Sequence, residues 1–155
     1  LLGLPPRRVP LTEDARGRPA LRGDRPRYDF NLSHSGNRLA LSVARGLRVG
    51  IDVERVTERD GVAVIARRYF GDRERQRLDR SSDRSYLERW YRIWTTREAH
   101  AKARGTGVSG IAAPLDGHGS LWCRRSVRVG DHYVASVVAL TPKSTTHSYD
   151  ERGDR

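Results

Sequence analysis

Between Ser82 and Ala103 the apolar residues Leu87, Trp90, Tyr91, Trp94 and Ala101 recur at steps of three and four, the pattern of a long helix with one buried face. Ser82 or Asp83 can cap its start, and Gly105 lies just beyond its end. A stripe this aromatic needs a cover, and the flanking segments read as strands. Tyr28–Ser33 and Leu39–Val43 alternate on either side of a Ser-Gly-Asn break and pair as a hairpin, and Arg48–Glu54 reads as a third strand. Leu121–Val129 and His132–Thr141, separated by Gly130-Asp131, form a closing hairpin. Val62, Ile65, Ala66 and Tyr69 predict a helix between Asp60 and Phe70, and a short one follows at Asp72–Leu78. The first 27 residues hold most of the chain's seven prolines and read as an irregular basic surface segment. The last 14, rich in Ser, Thr, Asp and Arg, read as a disordered tail.

The 155 residues suffice for one domain with a real core. The formal charge is +11, and all the basic residues except Lys102 and Lys143 are arginine. Such an excess points to a phosphate-bearing partner, nucleic acid included, or to arginine scattered by codon bias. The single cysteine, Cys123, excludes an internal disulfide framework and fits a reducing cytoplasm. The longest apolar run, Val134–Leu140, is strand-sized, so no membrane span is expected. No signal peptide is recognised in these residues, and the absence of Met, position 1 included, leads to the expectation of a chain that starts inside a longer reading frame or has been trimmed.

Asp52 and Glu54 lie two apart on a strand, so both leave one face while Ile51 and Val53 enter the core on the other. Two adjacent carboxylates suit Mg²⁺, which takes one or two protein carboxylates with phosphates and water; an ordinary solvated strand face is the competing reading. On the long helix Glu98 stands one turn beyond Trp94, and Lys102 one turn beyond Glu98. That is either a common i,i+4 ion pair or a third metal ligand with Arg97 and Lys102 set to neutralise a phosphate. Ser33-His34-Ser35-Gly36 offers hydroxyls, an imidazole and a flexible backbone to phosphate oxygens, or is simply a polar turn. It lacks the glycine pattern of a hydrolase nucleophile elbow.

Four blocks together resemble a 4′-phosphopantetheinyl transferase of the two-half, surfactin-synthetase-activating type rather than the small trimeric type. They are Gly17-Arg18-Pro19-Ala20-Leu21, Phe30-Asn31-Leu32-Ser33-His34-Ser35-Gly36, Val49-Gly50-Ile51-Asp52-Val53-Glu54, and Trp94-Thr95-Thr96-Arg97-Glu98-Ala99-His100-Ala101-Lys102. The resemblance runs from about residue 17 to residue 141. It implies an α+β fold of pseudo-two-fold architecture, each half a small antiparallel sheet packed against a long helix. Residues 1–48 would be the remainder of an incomplete first half, 49–141 the complete second half, and 142–155 the tail.

The resemblance also implies Mg²⁺-dependent transfer of the phosphopantetheine arm from coenzyme A to a serine of an apo acyl or peptidyl carrier protein, with release of 3′,5′-ADP. This is holo-acyl-carrier-protein synthase activity, in the cytoplasm, by an enzyme monomeric when full length. Asp52, Glu54 and Glu98 match the metal-binding acids, and Arg97 and Lys102 match cations near the phosphates. Gly17, Arg18, Pro19, Ser33 and His34 match the coenzyme contacts, Arg18 replacing a frequent Lys. Metal and cations would offset charge in the transition state. Glu74 aligns with a glutamate proposed as the base; Glu98 or a metal-bound water competes with it. The alternatives are an Arg-rich nucleic-acid-binding domain, with Trp90, Tyr91 and Trp94 as stacking platforms, and an inactive remnant of the transferase.

Overall fold

The structure, a computed structural model, describes residues 3–23, 28–115 and 122–141. Two short strands, β1 (Leu11–Glu13) and β2 (Pro19–Leu21), pair antiparallel. A longer hairpin follows, β3 (Tyr28–Ser35) with β4 (Arg38–Arg45), turning at Gly36 with φ 56°. Next come β5 (Arg48–Arg55), three helices, α1 (Val62–Tyr69), α2 (Asp72–Asp79) and α3 (Asp83–Arg104), and the strands β6 (Trp122–Val129) and β7 (Tyr133–Leu140). The last sheet has the order β5-β7-β6 and is antiparallel throughout. The architecture is α+β, as the resemblance implies. The expected tail, and Leu121 at the head of the closing hairpin, lie outside the described residues.

The amino-terminal segment differs from the irregular stretch expected. Asp14 Oδ1 accepts the amides of Arg16 and Arg18 at 2.9 and 3.0 Å, and Gly17 takes φ 74°. This turn folds β2 back on β1, because a short acidic side chain can close a turn that glycine then leaves in the left-handed region.

Helix α3 carries the core on two sides. Its aromatic end packs Trp90 and Tyr91 with Ala66, Phe70 and Leu78 from α1 and α2. Trp90 is fully buried and donates its indole N–H to the Val62 carbonyl at 2.9 Å, which removes the cost of burying that donor. Its carboxy-terminal end packs Ala99 and Ala103 on Val138 and Leu140 of β7. The aromatics of the nucleic-acid alternative are therefore core residues: Trp90 and Tyr91 are buried, and Trp94 stacks on Trp90 at 5.6 Å.

Strand β3 joins β5 through side chains instead of a backbone ladder. Asp29, Asn31, Ser33 and Ser35 accept the amides of Val49, Ile51, Val53 and Arg55 at 2.7, 2.8, 3.3 and 3.1 Å. The edge of β5 that faces away from β7 is thus satisfied by four short polar side chains at a spacing of two. Val53, on the opposite face of β5 from Asp52, packs with Tyr133 and Ala135, and Ala40 of β4 lies against them.

Candidate metal centre

Close approach of α3 to β5 builds the site. A Cβ on Gly50 would run into the Ala99 carbonyl and the Ala103 amide, so only glycine lets the helix lie so near the strand. Thr95, fully buried, fixes the helix on β7 by sharing a 2.7 Å hydrogen bond with Ser136, and Thr96 meets the same hydroxyl at 3.2 Å. Helix and strand together bring Asp52, Glu54 and Glu98 into one cluster, with an oxygen of each within 4.8 Å of the others. The carboxylates of β5 thus point under α3 and not into solvent.

Lys102 Nζ reaches Asp52 Oδ1 at 2.7 Å and Ser33 Oγ at 3.1 Å, and Ser33 Oγ donates to the same Oδ1 at 2.8 Å. Asp52 is only 2 % exposed, and its Oδ2 has no hydrogen-bond partner among the described residues. Ser35 Oγ donates to Glu54 Oε2 at 2.9 Å. Burial, followed by the charge on Asp52, pushes the Glu98 carboxyl up to about 8. Burial also raises Glu54, against the hydrogen bond from Ser35.

These features fit a divalent cation. Three carboxylates face one lysine, so the cluster is over-supplied with negative charge, and Glu98 relieves it by keeping its proton. Without an ion the protonated Glu98 carboxyl is hydrogen-bonded to Asp52, and no lysine, serine or backbone group donates to Asp52 Oδ2, so a cation could take the place of that proton. The donors are all oxygen, which suits Mg²⁺ better than softer metals.

Other residues singled out from the sequence are placed elsewhere. Arg18 turns inward: its guanidinium pairs with Asp29 at 3.0 Å and donates to the carbonyls of Phe30, Val49 and Lys102. It ties β3, β5 and the end of α3 together, with Gly17 and Pro19 forming the turn and strand around it. His34 alternates with Ser33, stands opposite Leu39 and is exposed, on the hairpin face away from Asp52. Arg97 is 4 % exposed and binds Glu74 through Nε and Nη2 at 2.8 and 2.5 Å, and the Ile111 carbonyl at 2.7 Å. Glu74 Oε2 also accepts the Gly71 amide at 2.8 Å, capping α2. Arg97 and Glu74 border a groove of about 840 Å³ with Arg73, Arg77 and Arg92 on its wall, and none of the three clustered carboxylates lines it. One residue on, about 100° around the helix, Glu98 faces the cluster.

The sequence placed Ser35 only in a turn that offers hydroxyls to phosphate, and it assigned no individual role to Asp29, Asn31 or the pair Thr95-Thr96. The signal for the first three was the spacing of two that they share with Ser33.

Strand and helix thus define an oxygen-donor cation site on an α+β scaffold, and the segment that carries it has a family. Residues 48–136, from β5 into β7, match the family model of the 4′-phosphopantetheinyl transferase superfamily, and the chain belongs to that family. It is 35% identical over 111 residues to the 4′-phosphopantetheinyl transferase HetI of Nostoc sp., covering 70% of this chain and 46% of that protein. It is 37% identical over 89 residues to the 4′-phosphopantetheinyl transferase AcpT of Escherichia coli, covering 57% and 45%. A human protein, L-aminoadipate-semialdehyde dehydrogenase-phosphopantetheinyl transferase, is 29% identical over 117 residues, covering 69% and 38%. The chain spans less than half the length of each of these relatives. Among the described residues no helix is long and apolar enough to cross a membrane.

Proposed function

We propose that the protein transfers the 4′-phosphopantetheine arm of coenzyme A to a serine hydroxyl of an apo acyl or peptidyl carrier protein, releasing 3′,5′-ADP, with Mg²⁺ held by Asp52, Glu54 and Glu98. The observation that carries this reading is the buried three-carboxylate cluster with a bare Asp52 Oδ2, inside the segment matched to the transferase family. Bound there, the ion would offset charge on the pyrophosphate. Lys102, its side chain 32% exposed, adds a cation beside the buried Asp52 that a phosphate oxygen can approach from solvent. For the proton of the carrier serine, Glu74 is occupied by Arg97 and by the cap of α2, which favours Glu98 over Glu74 as the base.

The two-half architecture, with residues 1–48 from the first half and 49–141 forming the second, belongs to the same reading. It is supported by β3–β4 lying beside β5 as a separate small antiparallel unit. So do the full-length monomer and the cytoplasmic setting. The nucleic-acid alternative loses its stacking platforms to the core.

The test incubates the protein with coenzyme A, Mg²⁺ and an apo carrier domain and weighs the carrier by mass spectrometry. A phosphopantetheine adduct that appears with the wild type and disappears with Asp52→Ala is expected. An unmodified carrier with the wild type, or an adduct that persists in Asp52→Ala, contradicts the proposal.

A further inference from the structure

We propose that Ser33 and Ser35 are positioning residues for the two carboxylates of β5, each holding one carboxylate oxygen so that the remaining oxygen is free to face a divalent cation. The inference rests on the reading of Asp52, Glu54 and Glu98 as a cation site.

The same arrangement occurs twice, two residues apart. Ser33 Oγ accepts the Val53 amide at 3.3 Å and donates to Asp52 Oδ1 at 2.8 Å. Ser35 Oγ accepts the Arg55 amide at 3.1 Å and donates to Glu54 Oε2 at 2.9 Å. Each serine thus bridges one β5 amide and the carboxylate of the residue before it. The repeat follows from geometry: both strands project side chains with a period of two, so a match at one position recurs at the next.

A serine hydroxyl has one hydrogen to donate and two lone pairs. At Ser33 all three are used, because Lys102 Nζ takes the second lone pair at 3.1 Å. The hydroxyl therefore has nothing left for a coenzyme phosphate, which sets this role apart from the coenzyme contact that the resemblance implies. Asp52 Oδ1 receives both Ser33 and Lys102, and Oδ2 is left buried and bare. The serine amide contacts anchor each hydroxyl to the backbone of the strand that bears the acid, so the carboxylate torsion is held before any ion arrives. Partners that orient metal-binding carboxylates in this way typically matter about 10- to 100-fold in affinity.

The experiment measures Mn²⁺ binding to the protein alone, from the electron paramagnetic resonance signal of the free ion, with far-UV circular dichroism melting to check folding. Ser33→Ala and Ser35→Ala should each weaken Mn²⁺ binding by about 10- to 100-fold. Ser35→Thr, which keeps the hydroxyl, should restore most of it. In the transfer assay the half-saturating Mg²⁺ concentration should rise more than KM for coenzyme A. Folded alanine variants with wild-type Mn²⁺ affinity, or with a raised coenzyme KM alone, would overturn the proposal. If Ser33→Ala does not fold, Ser35→Ala, on a more exposed position, decides. Asp52→Asn separates the two levels: its loss of binding with the serine variants unchanged sinks only the positioning role. A wild type that binds no Mn²⁺, or an Asp52→Asn variant that binds as well as the wild type, sinks the cation site and this role with it.

Discussion

A carboxyl group buried beside two others keeps its proton well above the usual range, and Glu98, pushed up to about 8 from 4.5, links the site to the stability of the fold. Between those values the folded chain holds a proton that the unfolded chain has released. Without metal, stability should therefore fall as pH rises from 4.5 to 8, by at most about 1.4 kcal/mol per pH unit for one proton. Saturating Mg²⁺ binds the deprotonated cluster and should flatten that slope, as denaturant melts at several pH values would show. A slope indifferent to Mg²⁺ contradicts the assignment of Glu98 to the cluster that holds the ion. Arg97, one residue earlier, belongs to a different network. With its buried guanidinium against Glu74 and the Ile111 carbonyl, Arg97→Ala strips both acceptors of their donor, leaves Glu74 only its bond from the Gly71 amide, and should cost about 1–3 kcal/mol of stability. The folded fraction should keep the wild-type KM for coenzyme A. A stable variant with a raised KM would instead give Arg97 the phosphate contact that the resemblance implies.

At the scale of elements, the site depends on how closely α3 can lie on β5. Gly50→Ala places a methyl group against the helix backbone at Ala99 and Ala103, where no flexible side chain can yield. The change should cost at least about 1–3 kcal/mol and, by lifting Glu98 and Lys102 from Asp52, weaken Mg²⁺ dependence out of proportion to the loss of fold. Thermal melts and Mg²⁺ titrations of the same variant check both parts; a variant of unchanged stability contradicts the close-packed arrangement. The helix itself was legible in the sequence because Trp90, Tyr91 and Trp94 repeat at its own period, and β5 because Val49 and Val53 alternate with Gly50 and Asp52. The partner of Arg97 was not legible. Glu74 is 23 residues away on another helix, and periodicity within one element carries no information about which faces of two elements meet. The bridging of β3 to β5 was hidden for the same reason: Asp29, Asn31 and Ser33 fall on an alternating strand and Ser35 in the break after it, and only the fold shows that another strand's amides lie against all four.

At the scale of the whole molecule, α3 covers β5 and β7 well among the described residues, and the hairpin beside them is covered poorly. That β3–β4 hairpin leaves Leu32, Leu39, Leu41 and Val43 between 40% and 71% exposed on one face. An apolar face of this kind is suited to contact with further protein. The charge also reads differently at this scale. Of the +11 total, Lys102 stands at the acidic cluster while Arg18 and Arg97 are held inside the fold, so the excess as a whole is no measure of a phosphate site. The central claim concerns the cluster itself, and a crystal structure grown with Mg²⁺ and coenzyme A tests it most directly. The account predicts one ion bound to Asp52 Oδ2, Glu54 and Glu98, with ligand oxygens at about 2.0–2.1 Å and the coenzyme pyrophosphate completing its shell. An ion bound elsewhere, or a pyrophosphate seated in the arginine-lined groove with the three carboxylates bare, would contradict it.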